Sequence, residues 1–278
     1  MRSLLPLHWH IVELLVIVAA GTAHFLAVQS NPLRRRAIGA LVALAVVTMW
    51  PVGDLAASVS LSVATAQRLV IMLLVAPLLL LGTPTAVFSR VTSPQVVDAL
   101  TRRLAHPGVA IVVVTVIGTL TLAVPIVDLG ARSTIARDLT LVVVLVTGLI
   151  LWIPALGVMP GARRLSPVAR AGYVFASALV VTSLSVVWIF ARHPLYPGLE
   201  HQQEILHISA LTDQQLAGFV AKLGCYVPMF IVAFRMFFHA DDERASAEES
   251  PLYWADVERQ LLRVDRQRER ALRRHRPQ

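Results

Sequence analysis

One cysteine, one lysine and few aromatic rings occur in this chain, and each shortage removes a class of explanation. Cys225 alone can form neither an internal disulfide nor a thiolate cluster, so cysteine usage says nothing about redox compartment. Phe, Trp and Tyr make up 6% of the residues, too few to line a retinal-type pocket with rings, although a lone lysine in the last long helix would otherwise invite one. Charged residues are only 15%, which places the chain among integral membrane proteins. There is no Gly-rich phosphate loop, no Walker sequence and no Gly-x-Ser-x-Gly elbow. No nucleophile stands at credible spacing from a base, so the expectation is a protein without catalysis.

What fills the chain instead is apolar: 56% of its 278 residues. Apolar runs recur at lengths suited to a hydrocarbon core of about 30 Å. The expected fold is all-α, a polytopic membrane protein with seven transmembrane helices near 10–28, 36–52, 61–82, 109–127, 138–157, 168–191 and 214–239. Residues 1–239 would form the membrane domain and 240–278 a charged cytoplasmic tail, acidic at first and Arg-rich later. All-round hydrophobicity of the spans argues against a porin-like barrel, which alternates with period two. Pro77 and Pro125 fall inside or near the ends of spans, where neighbouring helices can satisfy the carbonyls that a proline frees.

Loop charges set the orientation. Arg34, Arg35 and Arg36, then Arg90, Arg102 and Arg103, then Arg163, Arg164 and Arg170 fall in alternate connections, while the intervening ones are neutral or acidic. The positive-inside rule puts the N-terminus outside and the C-terminus in the cytoplasm. The arginine run follows the first span, so no cleavable leader is expected. The basic balance is read as topology rather than nucleic-acid binding.

The densest polar cluster is Asp213-Gln214-Gln215 at the start of the last span, followed by Gly218 and by Lys222, the only lysine. Two readings fit: a capped helix whose lysine snorkels outward, or one wall of a polar pocket. At 1.5 Å per residue, Arg68 lies about 10 Å into the third span and Lys222 about 12 Å into the last. Glu13 and Asp138 stand near the same, outer level. Because a charge facing lipid is costly, the expected cavity is lined by Glu13, Arg68, Asp138, Asp213, Gln214, Gln215 and Lys222. Arg68 would pair with Asp138 or Glu13, and Lys222 with Asp213 or another of these acids. His8, His10, His193, His201 and His207 collect on the same side and are candidate ligands for a transition metal such as copper. Their spacing matches no tight ligand motif.

Several stretches together resemble the CtaG-like family of cytochrome c oxidase assembly factors, seven-span bacterial membrane proteins. These are Asp213-Gln-Gln-Leu-Ala-Gly218, Arg192-His-Pro-Leu-Tyr-Pro197, Val75-Ala-Pro-Leu-Leu-Leu-Leu-Gly-Thr-Pro84 and Arg163-Arg-Leu-Ser-Pro-Val-Ala-Arg170, in matching order over roughly 10–240. The resemblance implies a multi-pass protein of the bacterial plasma membrane with oxidase subunits of the respiratory chain and the bilayer as partners. It also implies a link to copper delivery or insertion on the extracytoplasmic side. The chain departs from the family pattern where imidazoles are expected. Arg68 follows Gln67, Val124 precedes Pro125, Asp138 opens the fifth span and Ala221 replaces a methionine. The expectation is an assembly or accessory factor without metal at the family's site. The alternatives are a non-metal scaffold or a small-solute or ion transporter with an outward-facing polar cavity.

Overall fold

The computed structural model describes residues 18, 21–22, 28, 30–49, 51–159, 165–196, 207–248, 258 and 261–262, with side chains omitted at 57, 58 and 239–248. In chain order the helices are α1 (Asn31–Thr48), α2 (Val52–Ser58), α3 (Leu61–Val70), a π turn (Ile71–Val75), α4 (Ala76–Gly82), α5 (Thr85–Val91), α6 (Gln95–Leu104), α7 (Pro107–Leu120), α8 (Val124–Arg132), α9 (Thr134–Leu156), α10 (Pro167–Val181), α11 (Ser183–Ile189) and α12 (Ala210–Glu248). No strand occurs among the described residues.

Four stretches of the described residues are long and apolar enough to cross a bilayer: Leu61–Gly82, Thr134–Leu156, Pro167–Ile189 and Ala210–Phe238. The pair α6 and α7 passes the same test together but bends by 92° at its break. The protein is therefore a multi-pass helical membrane protein. The expected first span, 10–28, lies mostly outside the described residues. The expected second corresponds to α1, which begins earlier, carries Arg34, Arg35 and Arg36 in its first two turns, and stops at Thr48. The fourth ends at Leu120 rather than near 127, and the sixth breaks at Thr182. The last helix runs unbroken through 239 to Glu248.

The long helices have identifiable ends. Ser133 accepts the Ala136 N–H to start α9, and Gly157 closes it in the left-handed region at φ 59°, where a glycine needs no Cβ clearance. Ser166 caps α10, with Pro167 at its first position. The packed centre joins α4, α7, α9, α10 and α12 through Leu151, Trp152, Tyr173, Val174 and Met229. Val112, Val116, Leu120, Phe219 and Leu223 remain exposed. That distribution suits lipid as solvent, where packing and interhelical hydrogen bonds, not burial from water, hold helices together.

The π turn shows such a bond. The Ala76 N–H goes to Ile71 O, and the next residue, Pro77, has no N–H. Met72 O is thus left without a backbone donor, and the Trp152 indole N–H of α9 donates to it at 2.9 Å. Trp152→Phe orphans this carbonyl and leaves a small gap where the larger indole packed. It is expected to cost about 1–2 kcal/mol, measured as a lower unfolding midpoint in detergent. An unchanged midpoint would mean that the carbonyl finds another donor.

Candidate functional site

Helix breaks leave backbone N–H and C=O groups without partners, and this bundle aims its polar side chains at both. The Asp213 carboxylate, buried in the first turn of α12, receives the Leu61 N–H (2.6 Å), the Ser62 N–H (3.3 Å), and the Ser60 and Ser62 hydroxyls (2.8 and 2.5 Å). It caps α3, not its own helix. The charge also faces the positive end of the α3 dipole. The start of α12 is held separately, by Ser209 Oγ accepting the Thr212 N–H at 3.1 Å.

The two glutamines beside it grip the 191–196 loop. Gln214 Oε1 accepts the Leu195 N–H at 2.7 Å, and Gln215 Nε2 donates to Ala191 O at 3.1 Å. Within that loop Tyr196 stacks edge-on against Trp188, with centroids 5.9 Å apart. Its hydroxyl donates to Leu122 O at 2.8 Å. Asp213-Gln-Gln and the Arg192-His-Pro-Leu-Tyr stretch are two halves of one lock that ties α12 to α3, α11 and the end of α7.

Close helix contact keeps the lock in register. A Cβ at Gly218 would sit 2.7 Å from Ile189 Cγ1 and 2.9 Å from Ser185 O, whereas one at Gly172 would meet nothing within 4 Å. Gly218→Ala should therefore destabilise by about 1–3 kcal/mol. Gly172→Ala should stabilise by roughly 0.5–1 kcal/mol through helix propensity. Paired thermal or denaturant midpoints check the opposite signs; equal shifts would deny the close approach.

Arg68 lies at the centre. In a continued helix Thr121 O would accept from residue 125, but Pro125 has no N–H. The Arg68 guanidinium occupies that vacancy, donating to Thr121 O at 3.4 Å and to the Thr121 hydroxyl. A cation at the carbonyl end of α7 is stabilised by the helix dipole, which is why it needs no carboxylate. The expected pairing with Asp138 is corrected accordingly: Asp138 is half-exposed and pairs with its neighbour Arg137, Nε to Oδ1, at 3.4 Å.

Lys222 repeats the pattern. Its Nζ reaches the Thr182 hydroxyl at 3.3 Å, at the break that ends α10, and lies 5.7 Å from the Tyr226 ring centroid. Asp213 is committed to α3, so the expected Lys222–Asp213 pair does not form. Glu13, the other suggested acid, lies outside the described residues, as do His8, His10 and His201. His193 and His207 are both exposed, and His207 takes a left-handed φ of 54°. Among the described residues no three His, Cys, Asp or Glu side chains gather to hold a metal.

Arg68 divides two cavities of about 80 Å³ each. The inner one is lined by Thr65, Thr121, Thr147, Thr182, Ser185 and Cys225 among apolar side chains. The other extends from Gln67 toward Arg137 and Thr140. This donor set does not fit a copper ion. The guanidinium carries the charge such an ion would bring, and the hydroxyls are weak ligands for it. No imidazole among the described residues lines the inner cavity, and its soft atoms are only the Cys225 thiol and the Met72 thioether. The set suits water or a small anion. Thr121, Thr182 and Trp188 were not anticipated; Tyr196 stood out only within the Arg192-His-Pro-Leu-Tyr-Pro197 stretch, and the signal for Thr121 was a proline four residues later.

Residues 37–241, well over half of the chain, match the model of a family described as cytochrome c oxidase caa3 assembly factor (Caa3_CtaG). No curated protein and no solved structure matches.

Proposed function

The chain belongs to the cytochrome c oxidase caa3 assembly factor family, and on that premise we propose that it assists copper insertion into an oxidase without carrying copper inside its bundle. It acts non-catalytically through contacts with oxidase subunits in the membrane. The observation that carries this reading is Arg68, a fixed cation between two cavities with the Thr121 carbonyl and hydroxyl as its partners. In that position a guanidinium supplies, without any bound ion, the positive charge that would hold helix ends together. Loop charges support an orientation with the Asp213 lock and the Arg68 cavity toward the extracytoplasmic face and the C-terminal end in the cytoplasm of a bacterial plasma membrane. The lock presents the 191–196 loop on that face, where an oxidase subunit would meet it.

The test is deletion of the gene followed by complementation. Loss of the chain should lower assembled oxidase and its copper content together, and the wild-type chain should restore both. Normal oxidase abundance and copper content in the deletion strain would overturn the proposal.

A further inference from the structure

A larger cavity, of about 570 Å³, lies at the other end of the bundle from the Asp213 lock. Two spans finish there and a third begins: Leu80 and Leu156 come from the ends of Leu61–Gly82 and Thr134–Leu156, and Arg170 from the first turn of Pro167–Ile189. Span ends mark the level of lipid headgroups. Leu33, Leu80, Phe88 and Leu156 make an apolar wall, and among the described residues Arg170 is the one charged residue lining it. Arg170 Nε is shielded from solvent yet has no hydrogen-bond partner. Arg36 adds a second guanidinium at the rim, its Nη1 donating to Leu81 O at 3.4 Å.

Arg170 lines the cavity with a guanidinium, a group that binds phosphate through two parallel N–H groups. The C-terminal ends of α4 and α9 also point here. Each carries about half a negative charge, against a full positive charge on each of the two arginines. Balance therefore favours an anion, and the apolar wall gives that anion a hydrocarbon tail. We propose that this cavity binds an anionic phospholipid, with the phosphate taken by Arg170 and the upper acyl chain laid along Leu80, Phe88 and Leu156. Basic pockets between transmembrane helices bind headgroups by this chemistry. The inference is independent of the oxidase reading and of membrane orientation.

Native mass spectrometry of the purified full chain tests it, with phosphatidylglycerol, phosphatidylcholine of the same chains, and inorganic phosphate as probes. The expected result is one retained phosphatidylglycerol per chain, preferred over phosphatidylcholine by about tenfold and not displaced by inorganic phosphate. Arg170→Gln should abolish the preference. Arg170→Lys, which keeps the charge but loses the fork, should weaken it, and it carries the test alone if Arg170→Gln fails to fold. Equal retention of the two lipids, or a preference unchanged in these variants, would overturn the proposal. So would inorganic phosphate displacing the lipid, which would make this a site for the free ion.

Discussion

Asp213→Ala is expected to lower the unfolding free energy by about 3–4 kcal/mol, the largest stability loss of any single substitution discussed for this chain. The carboxylate takes two N–H groups and two hydroxyls at the start of α3. Deleting it strands the Leu61 and Ser62 amides in a buried place, while the serine hydroxyls can turn to other acceptors. Asp213→Asn should be intermediate. Its amide oxygen can keep the serine side, but its NH2 would then face the Leu61 N–H, and two donors cannot bond. Because Ser62 shares the network, adding Ser62→Ala to Asp213→Ala should cost much less than the sum of the two. Reversible unfolding in mixed detergent would measure all four states. A loss below about 1 kcal/mol for Asp213→Ala, the worth of one ordinary hydrogen bond, would mean that the lock is not holding α12 to α3.

Arg68→Leu should separate stability from function. The side chain is a half-buried cation whose partners are the Thr121 carbonyl and hydroxyl. Replacing such a charge by an apolar residue removes a desolvation cost of several kcal/mol, but also a helix-end attraction of at most about 2 kcal/mol and the donor to Thr121 O, whose loss costs about 1–2 kcal/mol. The opposing effects are of similar size, so the fold should change by no more than about 1 kcal/mol. Oxidase assembly, on the function proposed above, should fall to the level of the deletion strain. Arg68→Lys should retain part of the activity, since it keeps the charge but not the two-pronged donation. Full complementation by Arg68→Leu would remove the cavity from the mechanism and leave a scaffold role for the bundle.

The helical membrane fold was legible because apolar run length is a one-dimensional signal that the bilayer itself imposes. Pro77 illustrates a local inference that carried through: the freed backbone was expected to find a donor on a neighbouring helix, and Trp152 supplies one. Partners were harder. Charge reasoning sent Arg68 and Lys222 to acids, because a sequence displays carboxylates and hides helix ends. The structure gives Arg68 the carbonyl end of an interrupted helix at Thr121, and Lys222 the side-chain hydroxyl at another break, Thr182. Those ends depend on where a helix breaks, which Pro125 hints at in 109–127 but the apolar stretch 168–191 does not announce. Asp213 was hard to place for a related reason. At a span start it reads either as a cap of its own helix or as a pocket-wall partner for Lys222, yet it caps α3, more than 150 residues away in sequence. Gly218, by contrast, stands one turn after the lock in the sequence and marks the close approach to α11.

Copper per polypeptide tests the central claim most directly, namely that an arginine holds the place inside this bundle that a metal would otherwise take. The protein would be purified without chelator, loaded with cuprous ion, desalted and assayed beside Cys225→Ser. The account predicts the same copper content for both forms, with none attributable to the Arg68 cavity. One copper per chain that disappears in Cys225→Ser would contradict it.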